Sequence, residues 1–284
     1  MKVQLIKPIG HCFGVVNAIS LAKKIANEYK DKNVFIFGLL VHNDDVKKEL
    51  EELGIISLDI TKLDPISRLK EFSKDDVVIF TAHGHDYKYE EILKENDVTY
   101  FDATCSKVKI SFDYIKNAHE CIYIGKENHP ECKAALTMND SCYLYDINSK
   151  FDYSQIKSGN PIVINQTTLS FLELKEIHKD ILKNVKSAQI IDEICDATLL
   201  RQKAITTIDD NVELIVIIGS KVSSNTKKLY EVAKAYNPAK TVLFVENIEE
   251  LQGFSLNYKS AIIASGTSTP MKIINEIKEY LENK

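Results

Sequence analysis

Gly10-His11-Cys12-Phe13-Gly14-Val15-Val16 places a thiol between two glycines, where an apolar run gives way to a helix-like pattern. Two further cysteines, Cys105 and Cys195, lie at junctions of the same kind, 93 residues after Cys12 and then another 90 residues along the chain. This spacing predicts three copies of one structural unit. If the copies pack about a common centre, their thiols meet at one point, which matches an iron–sulfur cluster with one iron free of protein.

Short runs rich in Val, Ile, Phe and Tyr end in small or polar residues and continue into stretches with roughly 3.6-residue apolar periodicity. This alternation of strand and helix predicts an α/β fold: three similar α/β units with mostly parallel sheets, arranged around the cluster. The units are predicted at residues 1–97, 98–190 and 191–284, without a Gly/Ser-rich or Pro-rich linker, so they should pack as one body. The predicted strands are 3–6, 34–37, 77–80, 98–101, 121–124, 162–164, 190–194, 214–218, 242–245 and 261–264, and the predicted helices include 16–29, 226–236 and 271–284.

The composition of the 284 residues argues against several classes of protein. The net charge is −5 and the lysines are spread along amphipathic segments, which is not the pattern of a nucleic-acid-binding surface. The longest apolar runs have the length of a strand, far short of the roughly 18 residues of a membrane helix. Six cysteines without a charged-then-apolar leader predict a cytoplasmic protein in a reducing compartment.

The spacing of the cysteines bears on which metal they could bind. Structural zinc usually takes closely spaced C-x-x-C pairs, and ferredoxin-type clusters take a short run of cysteines, but this chain has neither. Three distant ligands on a preformed scaffold favour a cluster whose fourth iron binds substrate. Any one of these cysteines alone would be read as a buried hydrophobe. Cys121, Cys132 and Cys142 are predicted to be such core residues.

Aligning the three units on their cysteines brings two further polar positions into register. His42, His129 and Ser223 follow one predicted strand of each unit. Because ligands bind beyond the carboxyl ends of strands in open parallel sheets, these positions are where such a fold places a site. The alternative is that polar residues follow strands in most proteins. The second set of equivalent positions consists of His83, Thr167 and Ser268.

These positions favour a binding site for an anion. Imidazoles can donate hydrogen bonds to phosphate, and the segment Ser223-Ser224-Asn225 begins a predicted helix, where hydroxyls, an amide and free backbone N–H groups face the same direction. Ser268-Thr269-Pro270 begins the last helix in the same way. Ordinary helix capping explains both segments equally well.

Glu131, beside His129, is the predicted proton donor. Loss of a hydroxyl from carbon requires protonation, and a desolvated acid can keep its proton near neutral pH. The alternative is that Glu131 only complements the dipole of a helix start. Thr167 and Thr168, in the segment Gln166-Thr167-Thr168-Leu169-Ser170, could relay the proton or cap a helix.

Taken together, these motifs resemble the 4-hydroxy-3-methylbut-2-enyl diphosphate reductases, and they occur in the family's order along nearly the whole chain. The matching segments are Gly10–Val15, Val41-His42-Asn43, Ala82-His83-Gly84, Asp102-Ala103-Thr104-Cys105, His129-Pro130-Glu131, Gln166-Thr167-Thr168-Leu169-Ser170, Gly219-Ser220-Lys221, Ser223-Ser224-Asn225 and Gly266-Thr267-Ser268.

The resemblance implies the last step of the non-mevalonate isoprenoid pathway, a reductive dehydroxylation that gives isopentenyl and dimethylallyl diphosphates. It implies one [4Fe-4S] cluster on Cys12, Cys105 and Cys195, with an open iron for the substrate hydroxyl. It also implies Glu131 as the proton source with help from Thr167, and ferredoxin or flavodoxin as the electron donor. The residues implied to bind the substrate are His42, His83, His129, Thr168, Ser223, Ser224, Asn225 and Ser268.

Three positions depart from the family's pattern, namely Ser106, Asp196 and Leu200, and none of them is an implied ligand or the implied acid. Two other functions stay open from the residues. One is a non-catalytic iron–sulfur sensor or scaffold that binds a phosphorylated ligand and has no need of a proton donor. The other is a zinc hydrolase with Cys and His ligands.

Overall fold

The computed structural model describes residues 1–191 and 193–284. Within these residues the chain forms twelve β-strands and eleven α-helices, which alternate along most of its length. The strands are β1 (Lys2–Leu5), β2 (Asn33–Phe37), β3 (Ile55–Leu58), β4 (Asp76–Phe80), β5 (Thr99–Asp102), β6 (Cys121–Gly125), β7 (Cys142–Asp146), β8 (Ile162–Asn165), β9 (Gln189–Ile190), β10 (Leu214–Ile218), β11 (Thr241–Val245) and β12 (Ser260–Ser265). The helices are α1 (Phe13–Glu28), α2 (Asp44–Glu51), α3 (Pro65–Lys70), α4 (Lys88–Glu95), α5 (Ser106–Asn117), α6 (Pro130–Leu136), α7 (Phe171–Asn184), α8 (Asp196–Ile205), α9 (Ser224–Tyr236), α10 (Ile248–Gln252) and α11 (Met271–Glu282).

The strands form three four-stranded sheets in which every described pairing is parallel. The first sheet has the order β3-β2-β4-β5, the second β7-β6-β8-β9 and the third β11-β10-β12-β1. The three orders are equivalent, so the same unit occurs three times. The predicted α/β fold of three similar, parallel-sheet units is confirmed.

The divisions between the sheets do not coincide with the predicted boundaries at residues 97 and 190. Strand β5 was assigned to the second unit but pairs with β4 in the first sheet, and β1 was assigned to the first unit but pairs with β12 in the third. The physical reason is that the chain completes each sheet with an edge strand and then crosses to the next unit, and the cysteine lies on that crossing. The strand predicted at 190–194 corresponds to β9 (Gln189–Ile190), and the two ranges share Ile190. Residue 192 lies outside the described residues.

Burial explains which strands the sequence revealed. Every residue of β6 and β10 is buried, since these strands lie inside their sheets with helices packed on both faces. Strands β3 and β7 were not among the predicted strands, and they form the opposite edges of their sheets, where Ile56 is 47% exposed. A mixed burial pattern at an edge weakens the apolar signal without always hiding the strand, since the edge strands β1, β5 and β11 were predicted. In the described ranges no helix combines the length and apolarity that crossing a bilayer requires.

Candidate active site

Each of the three predicted cysteine ligands is the N-cap residue of a helix, namely α1, α5 and α8. Each cysteine lies three to seven residues beyond the edge strand of a sheet, and its backbone N–H donates to a carbonyl in a loop that follows the neighbouring strand. The three sulfurs are therefore positioned by equivalent backbone geometry. The donor–acceptor pairs are Cys12 N to Thr267 O at 2.9 Å, Cys105 N to Ala82 O at 3.1 Å and Cys195 N to Thr167 O at 3.1 Å.

The sulfurs of these cysteines approach a common region beside Gly14. A Cβ atom placed on Gly14 would lie 2.6 Å from Cys105 Sγ and 3.9 Å from Cys12 Sγ, so two sulfurs flank this glycine closely. Burial raises the pKa of the Cys195 thiol, and the neighbouring Cys105 thiol adds to the shift. Cys105 therefore lies near both of the other predicted ligands, and all three thiols are free and half-buried.

These residues fit an iron–sulfur cluster better than a single metal ion. In residues 1–191 and 193–284, no three His, Cys, Asp or Glu side chains approach closely enough to hold one ion. An iron–sulfur cluster requires a different arrangement of ligands, because each cysteine binds its own iron atom and the thiols need not converge on one point. Three free thiols at helix starts supply suitable donors. The absence of a side chain at Gly14 lets two of these sulfurs lie close to the start of helix α1.

The three predicted histidines form a compact group at strand ends. The ring centroids of His42 and His83 are 4.5 Å apart, those of His42 and His129 are 5.9 Å apart, and those of His83 and His129 are 5.7 Å apart. His42 and His83 come from the first unit and His129 from the second. Both ring nitrogens of His42 are buried and have no hydrogen-bond partner among the described residues. Buried polar atoms without partners are costly, which points to a ligand that satisfies them.

All three imidazoles are held neutral by their surroundings. Burial lowers the pKa of His42 and lowers that of His129 to about 3. Burial also lowers the pKa of His83 well below its usual value, and the two neighbouring imidazoles lower it further. Each ring therefore offers one N–H donor and one acceptor, and an anion bound among them would favour their protonation.

Glu131 is fully enclosed beside this group and is 1% exposed. Its Oε1 atom accepts hydrogen bonds from Thr167 N at 2.7 Å and from the Tyr123 hydroxyl at 3.2 Å, and its Oε2 atom accepts from Thr167 Oγ1 at 2.8 Å. Burial raises the pKa of Glu131 to about 7, although these hydrogen bonds oppose the shift. The carboxyl group can therefore exchange a proton near neutral pH, and Thr167 is in direct contact with it.

The third unit contributes hydroxyl and amide groups from two loops. Ser223, Ser224, Asn225 and Ser268 are all buried, with exposures between 4% and 6%. Ser223 is the N-cap of α9, and the Ser268 hydroxyl donates to His42 O at 3.2 Å, which joins the third unit to the first. Asn225 Nδ2 donates to Thr198 Oγ1 at 2.8 Å, and Asn225 Oδ1 accepts from Thr267 N at 3.0 Å.

The family model described as LytB protein matches residues 3–282. The chain belongs to the LytB family. A relative from Malacoplasma penetrans, named 4-hydroxy-3-methylbut-2-enyl diphosphate reductase, is 34% identical, and the match covers 100% of this chain and 98% of that protein. A relative of the same name from Fusobacterium nucleatum is 33% identical over 98% of this chain, which spans only 34% of that longer protein.

Solved structures lead to the same family. The reductase described as E-1-hydroxy-2-methyl-but-2-enyl-4-diphosphate reductase from Plasmodium falciparum superposes with a TM-score of 0.86 at 26% identity. That match covers 99% of this LytB-family chain and 88% of the Plasmodium chain. The predicted reductase family is confirmed, and so is the prediction that the chain is an enzyme.

The sequence analysis gave no role to Gln166, which links two units of this LytB-family protein at the site. Its Nε2 atom donates to Thr168 Oγ1 at 2.7 Å and to Ser224 Oγ at 3.4 Å, while its Oε1 atom accepts from Lys126 N at 3.2 Å. The signal available in the sequence was its position directly after strand β8. Gln166 thereby orients two hydroxyls that were predicted to bind substrate.

The three departures from the family's pattern lie near the helix starts. Ser106 and Asp196 are the first residues of α5 and α8, and Leu200 is 54% exposed. The Asp196 carboxylate pairs with Lys107 Nζ at 3.1 Å, so this departure adds an exposed ion pair between the two helices. Such pairs contribute little to stability.

Gly14→Ala is expected to lower iron and sulfide content while leaving the apoprotein folded. The added methyl group would lie 2.6 Å from Cys105 Sγ, a distance that a sulfur bound to iron cannot relieve by rotating away. Alanine inside helix α1 improves helix propensity by about 1 kcal/mol, so the apoprotein should not lose stability. Gly253→Ala is the control, because its nearest neighbour would be Glu250 O at 3.3 Å. Full iron loading of Gly14→Ala would contradict the assignment of this region to a cluster.

Proposed function

We propose that this LytB-family chain catalyses reductive dehydroxylation of (E)-4-hydroxy-3-methylbut-2-enyl diphosphate to isopentenyl and dimethylallyl diphosphates. One observation carries the proposal. A buried carboxyl group, Glu131, has a pKa raised to about 7 and lies two residues from one of three neutral imidazoles, while the backbone N–H of Cys195 donates to Thr167 O, in the residue that contacts this carboxyl group. An acid, an anion site and a set of thiols are the parts that this reaction needs.

Neutral donors from three units would hold the diphosphate. The imidazoles of His42, His83 and His129 offer N–H groups, and the third unit adds buried hydroxyl and amide groups around the N-terminus of α9. A helix N-terminus with free backbone N–H groups favours an anion. Gln166 fixes the hydroxyls of Thr168 and Ser224, so less ordering is needed when the ligand binds.

Glu131 would deliver the proton that turns the substrate hydroxyl into water. A buried acid with a pKa near the working pH holds its proton until it is needed, and Thr167 Oγ1 at 2.8 Å is placed to pass the proton on. The Thr167 backbone N–H at 2.7 Å stabilises the carboxylate that remains. A sensor has no use for such an acid, which favours the enzyme over a non-catalytic cluster protein.

Cys12, Cys105 and Cys195 would hold a [4Fe-4S] cluster, which supplies single electrons and an open iron for the substrate oxygen. No G-x-G-x-x-G fingerprint follows a strand in this sequence, so we assign the electron supply to a ferredoxin or flavodoxin. A cavity of about 240 Å³ is lined by Phe13, Gly14 and Cys105, one of the three proposed ligands. Six free cysteines support a cytoplasmic location.

The test is anaerobic purification followed by measurement of iron, sulfide and products. With a strong reductant and the allylic diphosphate, the protein should contain one four-iron cluster per chain and release both isoprenoid diphosphates. A preparation that contains the cluster and binds the diphosphate but forms no product would instead support the sensor. Stoichiometric zinc without sulfide would support the hydrolase.

The rate should fall as pH rises through about 7, because the acid must be protonated and burial raises the pKa of Glu131 to about 7. Thr167→Val removes a hydrogen bond that lowers this pKa, so the decline should move to higher pH. Thr167→Ser keeps the hydroxyl and should keep the wild-type profile. The measurement is kcat/KM from pH 5.5 to 9, and identical profiles for the two variants would contradict the role of Thr167.

A further inference from the structure

Arg201 is a deeply buried cation whose surroundings lack the usual compensation. Its side chain is on helix α8, the residue is 3% exposed, and none of the described carboxylates forms an ion pair with it. The guanidinium donates from one NH₂ group to Gly10 O at 2.6 Å and from the other to Ala197 O at 2.8 Å. Its Nε–H is buried without a hydrogen-bond partner in the described part of the chain.

The two carbonyl acceptors define where this charge lies. Gly10 is two residues before Cys12, and Ala197 is two residues after Cys195, so the guanidinium bridges the backbone next to two of the three thiols. Burial lowers the pKa of Arg201, and the neighbouring Cys12 and Cys195 raise it again. The site therefore holds its cation between two sulfurs that bind metal only as thiolates.

Lys228 is a second buried cation of this protein, and neighbouring carboxylates compensate its charge. Lys228 is 4% exposed, and its Nζ atom pairs with Glu173 at 2.6 Å and with Glu231 at 2.7 Å. A buried charge is tolerated when an opposite charge and hydrogen bonds satisfy it, and it is strongly destabilising when they do not. Among the residues that the structure describes, the hydrogen-bond partners of Arg201 are neutral carbonyls, so we assign its compensating charge to the thiolates.

We propose that Arg201 is the counter-ion of the cluster and its thiolates, so that it holds the cluster in place and makes the cluster easier to reduce. This inference rests on the proposed iron–sulfur function. Each thiolate brings a negative charge into a half-buried site, and reduction adds one more. A fixed guanidinium beside two ligands stabilises that charge, since hydrogen bonding and net charge around a cluster set its potential. Arg201 acts here as a positioning residue, through the cysteines.

Three variants test the proposal on anaerobically purified holoprotein. Arg201→Gln keeps a hydrogen-bond donor but removes the charge, Arg201→Lys keeps the charge, and Lys228→Met removes the paired buried cation as a control. The readouts are iron loss to a chelator, the reduction potential of the cluster, and the stability of the apoprotein to urea. Iron and sulfide content of the wild type, measured first, decides separately whether the proposed function holds.

Arg201→Gln should lose iron to the chelator about 10- to 100-fold more readily, as for other residues that support metal ligands. Its cluster should have a more negative potential, while its apoprotein should be at least as stable as the wild type because an uncompensated charge is gone. Arg201→Lys should retain most of the wild-type behaviour, and Lys228→Met should leave the potential unchanged. Equal destabilisation of apo and holo forms by Arg201→Gln, failure of its apoprotein to fold, or an unchanged potential would each overturn the proposal.

Discussion

Glu131→Gln is expected to keep its cluster and its affinity for diphosphate while losing about 10²- to 10⁴-fold in turnover. Glutamine has the shape of the acid and can still accept the Thr167 N–H bond seen at 2.7 Å, but it cannot release a proton. The loss should therefore appear in kcat and hardly at all in the binding of inorganic pyrophosphate. The measurements are single-turnover rates with the pre-reduced enzyme and calorimetric titration with pyrophosphate.

Glu120→Gln provides a matched control for this experiment. Glu120 is also a buried carboxylate of the second unit, at 5% exposure, but it precedes strand β6, whereas Glu131 follows it. Glu120 accepts backbone N–H bonds from Lys157 at 2.8 Å and Ser158 at 3.0 Å, which gives it a structural role. Its glutamine variant should lose stability but not turnover. Normal turnover in Glu131→Gln would show that Glu131 is not the proton donor.

Cys105→Ser is expected to purify nearly free of iron and sulfide and to be inactive. Of the three proposed ligands, Cys105 has the sulfur that lies closest to Gly14. Serine is a poor substitute for a thiolate as a ligand of iron. Because Cys105 N still donates to Ala82 O, the helix start should survive and the protein should stay folded. Iron and sulfide analysis, visible absorption and circular dichroism measure these effects.

Cys142→Ser is the control, since Cys142 is equally half-buried and belongs to the same unit. It lies on strand β7 opposite Cys121 in the sheet register, among core residues and not at a helix start. This variant should retain its iron. A fully loaded and active Cys105→Ser protein would mean that the three-cysteine ligand set is wrong.

The threefold repeat could be predicted from the sequence because it depends on local signals. Apolar runs of strand length, each followed by a helical pattern, mark the junctions at Cys12, Cys105 and Cys195, and the structure has helix starts at all three. The assignment of edge strands to sheets could not be predicted in the same way. Strand β1 pairs with β12, from Lys2 opposite Ser260 onward, and no local pattern records a pairing over such a distance.

The same difference between local sequence signals and long-range contacts applies to the candidate site. His42, His129 and Ser223 were predicted as site residues because they follow strands, and in the structure the rings of His42 and His129 lie 5.9 Å apart. No role for Gln166 or Arg201 follows from the sequence alone. Their importance depends on partners in other units, Ser224 for Gln166 and Gly10 for Arg201, and these contacts exist only after the units pack.

The late closure of the third sheet has a consequence for biogenesis. Cys12 N donates to Thr267 O, and Gly10 N donates to Ser265 Oγ at 2.9 Å. The Cys12 thiol can therefore reach its final position only after strand β12, far along the chain, has been synthesised. Pairing segments so distant in the chain is slow, because the loop entropy is lost before the contacts form. If these thiols hold the proposed cluster, its assembly would follow the formation of strand β12, and a nascent chain stalled before β12 would leave its thiols open to oxidation.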